Sequence, residues 1–285
     1  MAQTRESFLQ VQGFENDGSE RLPICFCLDT STSMTRVDGG VPTGETFWRD
    51  GRKWTVVRGG ENSPLVELKE GINLFLRKIR NDAIASKAAE LSIVTFDSYA
   101  KSILDFCPLS ELDENITSSI SADGETYMGE GLNMALDKLE SCVEKYKSFG
   151  IGCYSPWLIV MSDGQPNGSS YELSAAKEKI QRMRRENGLV VIPIGIGKEA
   201  DMKALSSLSP NRNAVSIHNI DFANLFNNMA LYIRGIAKTT IGARVNIDIE
   251  KISSKQINET EIDQSDTVEI PFGFMSDAFD FMDDD

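Results

Sequence analysis

Leu22-Pro23-Ile24-Cys25-Phe26-Cys27-Leu28-Asp29-Thr30-Ser31-Thr32-Ser33 joins an apolar run to a run of oxygen donors. The apolar part, Leu22 to Leu28, reads as a strand buried on both faces. Asp29, Ser31 and Ser33 then place one carboxyl and two hydroxyls at alternate positions just past it. Oxygen donors of this kind suit a hard divalent cation, Mg²⁺ above all.

Working outward, strands and helices alternate. Apolar runs predict further strands at 91–96, 101–106, 157–162, 189–196 and 213–218. Only Asp97 to Ala100 separate the second strand from the third, which makes these two an antiparallel hairpin. Helical spacing of apolar residues predicts helices at 65–80, 128–147 and 171–187, a shorter one after Lys198, and a last one from Asp221 to Gly235. Ser63-Pro64 reads as an N-cap followed by a first-turn proline, and Asp221 as the cap of the last helix. Such alternation predicts an α/β fold with an open, mainly parallel sheet covered on both faces. Ligands of such sheets bind beyond the carboxyl ends of the strands, where Asp29 lies.

Residues 34–62 are too long for an ordinary strand-to-helix connection. Within them, Phe47 to Val57 read as a β-hairpin turning at Asp50-Gly51. The chain therefore divides into an extension at 1–20, a domain at 21–237 carrying the insertion at about 34–62, a further extension at 238–255 with an added strand within 239–252, and an acidic segment at 256–285. That last segment holds ten acids and no Lys or Arg, so it carries −10 of the net charge of −14.

The acidic balance argues against nucleic acid or an anionic membrane as the main partner. No run is long and apolar enough to span a bilayer, and residues 1–7 lack the basic start and apolar stretch of a secretory signal. Cys25, Cys27, Cys107, Cys142 and Cys153 form no Cys-x-x-Cys pair and read as small hydrophobes in a reducing cytoplasm. A single histidine, His218, nearly removes triad catalysis and multi-histidine zinc sites. Gly195-Ile196-Gly197 follows a strand, but Ala200 stands where a dinucleotide fingerprint needs its third glycine.

Two later loops complete the oxygen set. The strand at 157–162 ends in Asp163-Gly164, at the same sheet edge as Asp29, and Asp123-Gly124-Glu125-Thr126 leads into a helix that brings a third hydroxyl. Asp29-x-Ser31-x-Ser33, Thr126 and Asp163-Gly164, in that order and in those strand contexts, resemble the metal-ion-dependent adhesion site of von Willebrand factor type A domains over roughly residues 20–235. Within that superfamily the chain is most similar to stand-alone bacterial TerY-like proteins, through Leu22-Pro23-Ile24, Thr95-Phe96-Asp97 and Ile194-Gly195-Ile196-Gly197. The resemblance implies a three-layer α/β/α, Rossmann-like fold with one antiparallel edge strand. It also implies a Mg²⁺ (Ca²⁺ or Mn²⁺ as substitutes) held by Asp29, Ser31, Ser33, Thr126 and Asp163, with an acidic residue of another protein completing the coordination. TerY-like proteins occur alongside serine/threonine kinases and phosphatases, which makes such an enzyme the expected partner in a signalling, stress or defence system. Gly124-Glu125 departs from the family's usual pair of glycines.

The expected function is metal-dependent protein binding without catalysis. The alternative is a hydrolase or phosphatase using the same metal, but phosphoryl-transfer aspartates want a second Asp two residues on, where Ser31 stands. Trp48 and Trp54 serve either as apolar contact beside the metal or as anchors of the hairpin to its own domain. The acidic segment interleaves Phe272, Phe274, Phe279, Phe281 and Met282 with aspartates. It reads either as a docking peptide, one form of which places an Asp in a metal site, or as a solubilising tail.

Overall fold

The computed structural model describes residues 20–37, 41–49, 51–58, 63–109, 111–112, 115–197, 200–209, 213–217 and 222–238. The first strand, β1 (Leu22–Asp29), is buried along its whole length. Its side chains alternate between two cores: Leu22, Ile24, Phe26 and Leu28 enter one, Cys25 and Cys27 the other. A strand that is apolar at both parities can sit only between two covering layers.

The same division repeats in β4 (Ala89–Phe96), β6 (Trp157–Ser162) and β7 (Val190–Ile196). With β5 (Ala100–Pro108) and β8 (Val215–Ile217) they form a six-stranded sheet in the order β5-β4-β1-β6-β7-β8. Every pairing is parallel except β4 with β5. The fold is thus α/β with a mostly parallel central sheet, one antiparallel pair and flanking helices, as the sequence predicts.

Helix α1 (Pro64–Arg80) and α6 (Phe222–Ile236) cover one face, and α3 (Met128–Phe149) and α4 (Ser170–Asn187) cover the other. A short α2 (Ala85–Ala88), not evident in the sequence pattern, precedes β4. Another short helix, α5 (Met202–Ser206), is capped by Asp201, whose carboxylate accepts the Ala204 N–H at 2.9 Å. Ser63 stands at the N-cap of α1 as expected, yet its hydroxyl makes no capping hydrogen bond; Pro64 alone shapes that start. Asp221, His218, the strand expected within 239–252 and the acidic segment lie outside the described residues.

Gly195 and Gly197 have structural work in place of a phosphate-binding role. A β-carbon on Gly195 would lie 2.3 Å from Met202 Sδ, so its absence lets α5 approach β7. Gly197, at φ +76°, turns the chain out of the sheet and donates its N–H to the Ile217 carbonyl at 3.0 Å.

At the amino end of the sheet, Glu90 is buried and accepts a hydrogen bond from the Tyr146 hydroxyl. The buried Arg21 places Nε 3.8 Å from Glu90 Oε1 and donates Nη1–H to the Lys87 carbonyl at 2.6 Å. Burial raises the Glu90 carboxyl above its usual range, and the Tyr146 hydrogen bond and Arg21 oppose that rise.

The insertion is the predicted hairpin, but longer. Strands β2 (Val41–Arg49) and β3 (Arg52–Arg58) pair antiparallel in a separate two-stranded sheet. Its register shifts between Pro42 and Thr46, and Gly51 takes φ +70° at the turn. Trp48 is 72% exposed, so it does not anchor the hairpin to its domain; Trp54 is half-buried.

Phe26, Phe75 and Phe226 lock α1 and α6 to the sheet. The Phe26 ring meets the other two edge-on, with centroids at 5.5 and 5.7 Å. Phe26→Ala is therefore expected to destabilise the fold by about 3–5 kcal/mol, read by denaturant unfolding; a loss near zero would mean that this cluster does not hold the layers together.

Candidate functional site

Asp29 ends β1 with its side chain fully buried. Its Oδ1 accepts the Ser31 backbone N–H at 2.8 Å, and its Oδ2 accepts the Ser162 hydroxyl at 2.5 Å. The chain then leaves the sheet through one 3-10 turn, Thr32–Thr35, with Ser31 at its N-cap. This turn brings Ser33 Oγ to 2.9 Å from Ser31 Oγ, and Ser33 donates to Asp163 Oδ1 at 2.7 Å. Asp163 follows Ser162 at the end of β6, the neighbour of β1 in the sheet, which brings the second carboxylate close to Asp29.

Thr126 comes from the third loop. A β-carbon on Gly164 would lie 3.5 Å from Thr126 Oγ1 and 3.8 Å from Ser33 Oγ, so both hydroxyls flank that glycine. The structure thus brings together all five residues singled out in the sequence: Asp29, Ser31, Ser33, Thr126 and Asp163.

Backbone hydrogen bonds tie the three loops to one another. Asp123 N–H donates to the Thr30 carbonyl at 2.8 Å, and Thr32 N–H donates to the Gly124 carbonyl at 3.1 Å. Asn167 N–H donates to the Thr126 carbonyl at 2.8 Å, and Tyr127 N–H to the Asp97 carbonyl at 2.9 Å. Gly124 sits at φ +71°, and a β-carbon there would meet Ser98 Oγ at 2.5 Å, so the first glycine of this turn is demanded twice over. Glu125 is exposed and accepts from Asn167 Nδ2 at 2.9 Å, which clasps the second loop to the third.

Ser162 is the site residue that sequence reasoning missed. Its only signal is positional: Leu28 pairs with Met161, so Ser162 stands beside Asp29 one step further along. A hydroxyl there is needed because a buried carboxylate must be hydrogen-bonded.

Burial and the neighbouring Asp163 push the Asp29 carboxyl up to about 7, against hydrogen bonds from Ser162 and Ser31 that favour its charged form. No cation is among the groups that hold it down. A divalent cation between the two carboxylates would remove their repulsion. Among the described residues no three His, Cys, Asp or Glu side chains gather as a metal cluster, so a cation here would rest on two carboxylates and three hydroxyls. That donor set fits a hard ion of the Mg²⁺ type better than a soft one.

The chain belongs to the von Willebrand factor type A domain family, whose sequence profile matches residues 24–228. Its fold is similar to a von Willebrand factor type A protein from Catenulispora acidiphila (15% identity, 76% of this chain and 43% of that one, TM-score 0.52). It is also similar to the vWF domain of the type V pili tip protein Mfa5 from Porphyromonas gingivalis (12% identity, 78% and 98% coverage, TM-score 0.55). A third likeness is to proximal thread matrix protein 1 from the mussel byssus, solved with a zinc-occupied MIDAS motif (14% identity, 76% and 48% coverage, TM-score 0.50). The chain spans less than half the length of the first and third of these. At such identities the likeness is one of fold. No curated protein matches the chain significantly.

A carboxyl whose pKa rises on folding makes the folded state bind the extra proton. Stability is then greatest below the unfolded value and falls as pH rises toward the folded one. In the metal-free chain, the Asp29 contribution to stability should fall between about pH 4 and pH 7 by up to ~1.4 kcal/mol per pH unit. Asp29→Asn keeps the shape and should flatten that slope; an unchanged slope in chelator-treated denaturation curves would show that Asp29 does not titrate there.

Proposed function

We propose that the chain is a Mg²⁺-dependent protein-binding module, with Asp29, Ser31, Ser33, Thr126 and Asp163 as its metal-ion-dependent adhesion site. The observation that carries this reading is the cluster in which buried Asp29 accepts from Ser31, Ser31 meets Ser33, Ser33 donates to Asp163, and the Thr126 and Ser33 hydroxyls flank Gly164, all at the carboxyl end of a mostly parallel sheet. Membership of the von Willebrand factor type A family supports it, as does the zinc-occupied MIDAS motif of the mussel protein. Bound there, the cation supplies a coordination position that a carboxylate of another protein can fill. Ser31, Ser33 and Thr126 offer hydroxyl oxygens, while Asp29 and Asp163 bind directly or through water. The loop-to-loop hydrogen bonds hold these groups in place before a partner arrives, which lowers the ordering cost of binding.

The proposed role is a scaffold in a bacterial signalling, stress or defence system, in the manner of the TerY-like proteins. The proposed partner is a serine/threonine kinase or phosphatase of the same system, and the proposed compartment is the cytoplasm. No helix among the described residues is long and apolar enough to cross a membrane. All five cysteines are free, and Cys25 and Cys27 are buried in the sheet, where burial pushes the Cys25 thiol up to about 12. A non-catalytic role is favoured by Ser31 standing where a phosphoryl-transfer site would carry its second Asp.

Mg²⁺ at a hundredfold excess over Kd should stabilise the chain by about 2.7 kcal/mol, which is roughly 5–10 °C in Tm for a domain of this size. Asp29→Ala and Ser31→Ala should abolish the shift, and both should abolish EDTA-sensitive capture of a partner from the native cell. Capture that ignores EDTA and both substitutions would overturn the reading, as would Mg²⁺-dependent turnover of a phosphate ester lost in Asp29→Ala.

A further inference from the structure

The insertion presents an exposed face. Thr46 pairs with Thr55 and Trp48 with Lys53, so the pleat sets these four residues on one side of the two-stranded sheet. All four are exposed, and Trp48 is 72% so. A two-stranded hairpin with a bare tryptophan is marginal in water and gains from a cover.

Charge says what the cover is. Residues 36–58 hold five cations, Arg36, Arg49, Arg52, Lys53 and Arg58, against three acids. This segment is therefore net positive within a chain of −14. The opposite composition occurs in the same chain at 256–285, where ten acids and no base are interleaved with Phe272, Phe274, Phe279 and Phe281. An acidic, phenylalanine-bearing peptide matches the exposed Lys53 ammonium and the open Trp48 indole on one face of this net positive segment in both of its chemistries.

Chain length permits the meeting within one molecule. Helix α6 ends at Ile236, and residues 237–255 can reach roughly 60 Å when extended, more than the width of a domain this size. Tethering also raises the effective concentration of the segment at the face.

We propose that the exposed face of the β2–β3 hairpin, centred on Trp48 and Lys53, is the docking site for the acidic segment 256–285 of the same chain. The contact itself uses the Trp48 indole and the Lys53 ammonium and is independent of the metal reading.

The test uses the full chain with p-benzoylphenylalanine in place of Thr55, and separately in place of Thr46, so that one misfolded variant does not decide the matter. After irradiation, the crosslinked peptides are mapped by mass spectrometry. Mixing isotope-labelled with unlabelled protein separates crosslinks within one chain from those between chains. The expected result is a dominant crosslink to a peptide within 256–285 of the same chain, unchanged by EDTA. Its yield should fall roughly fivefold or more in high salt (about 0.5 M) and in Lys53→Glu. Crosslinks confined to other segments, or to the acidic segment of another copy, would overturn the proposal. So would a crosslink to that segment that ignores Lys53→Glu but disappears with EDTA and with Ser31→Ala. That last outcome would put an acid of the segment in the metal site and leave the metal reading standing.

Discussion

Everything at the candidate-site end of this domain depends on one buried carboxylate. Asp29 sits at the last position of the central strand, fully buried, and its two oxygens are taken by the Ser31 amide and the Ser162 hydroxyl. Leaving a buried carboxylate without such partners would cost several kcal/mol. Those partners fix the first turn after β1 and the last residue of β6 at once. The turn then presents Ser31 and Ser33 toward Asp163, and the other two loops are sewn to it through backbone amides. The site is therefore a consequence of how the sheet ends.

Much of this could be read from the chain. The runs at 22–29 and 157–162 are near-continuous in apolar residues, and they emerge as β1 and β6 with the same bounds. Long helices with sustained periodicity were equally plain. What escaped reading did so for physical reasons. Helix α2 has four residues, Ala85–Ala88, too few for a period, and forms where the chain turns into β4. The start of β2 was hidden because Pro42 and Gly44 argue against a strand; the register shift between Pro42 and Thr46 is how the ladder accommodates them.

The candidate site divides the same way. Asp29, Ser31 and Ser33 share one short stretch, and strand ends placed Thr126 and Asp163 near them. Ser162 was invisible because its part depends on which residue of β6 stands beside Asp29, a register that no local pattern encodes. Glu125 could be read from the chain either as a charge near the metal or as a solvent-facing side chain; it is exposed, and Asn167 draws it into a clasp between loops. Only the relative position of two separate loops reveals that.

Two of the buried acids at opposite ends of the sheet, Glu90 and Asp29, are treated differently. Glu90, at the amino end, meets a guanidinium and a phenol from its own chain. Asp29, at the carboxyl end, has hydroxyls and an amide, with a second acid close by. Glu90 thus meets a cation supplied by the fold, whereas the groups that act on Asp29 include a second carboxylate and no cation. A cation would therefore have a charge-based reason to settle beside Asp29 and none to settle beside Glu90.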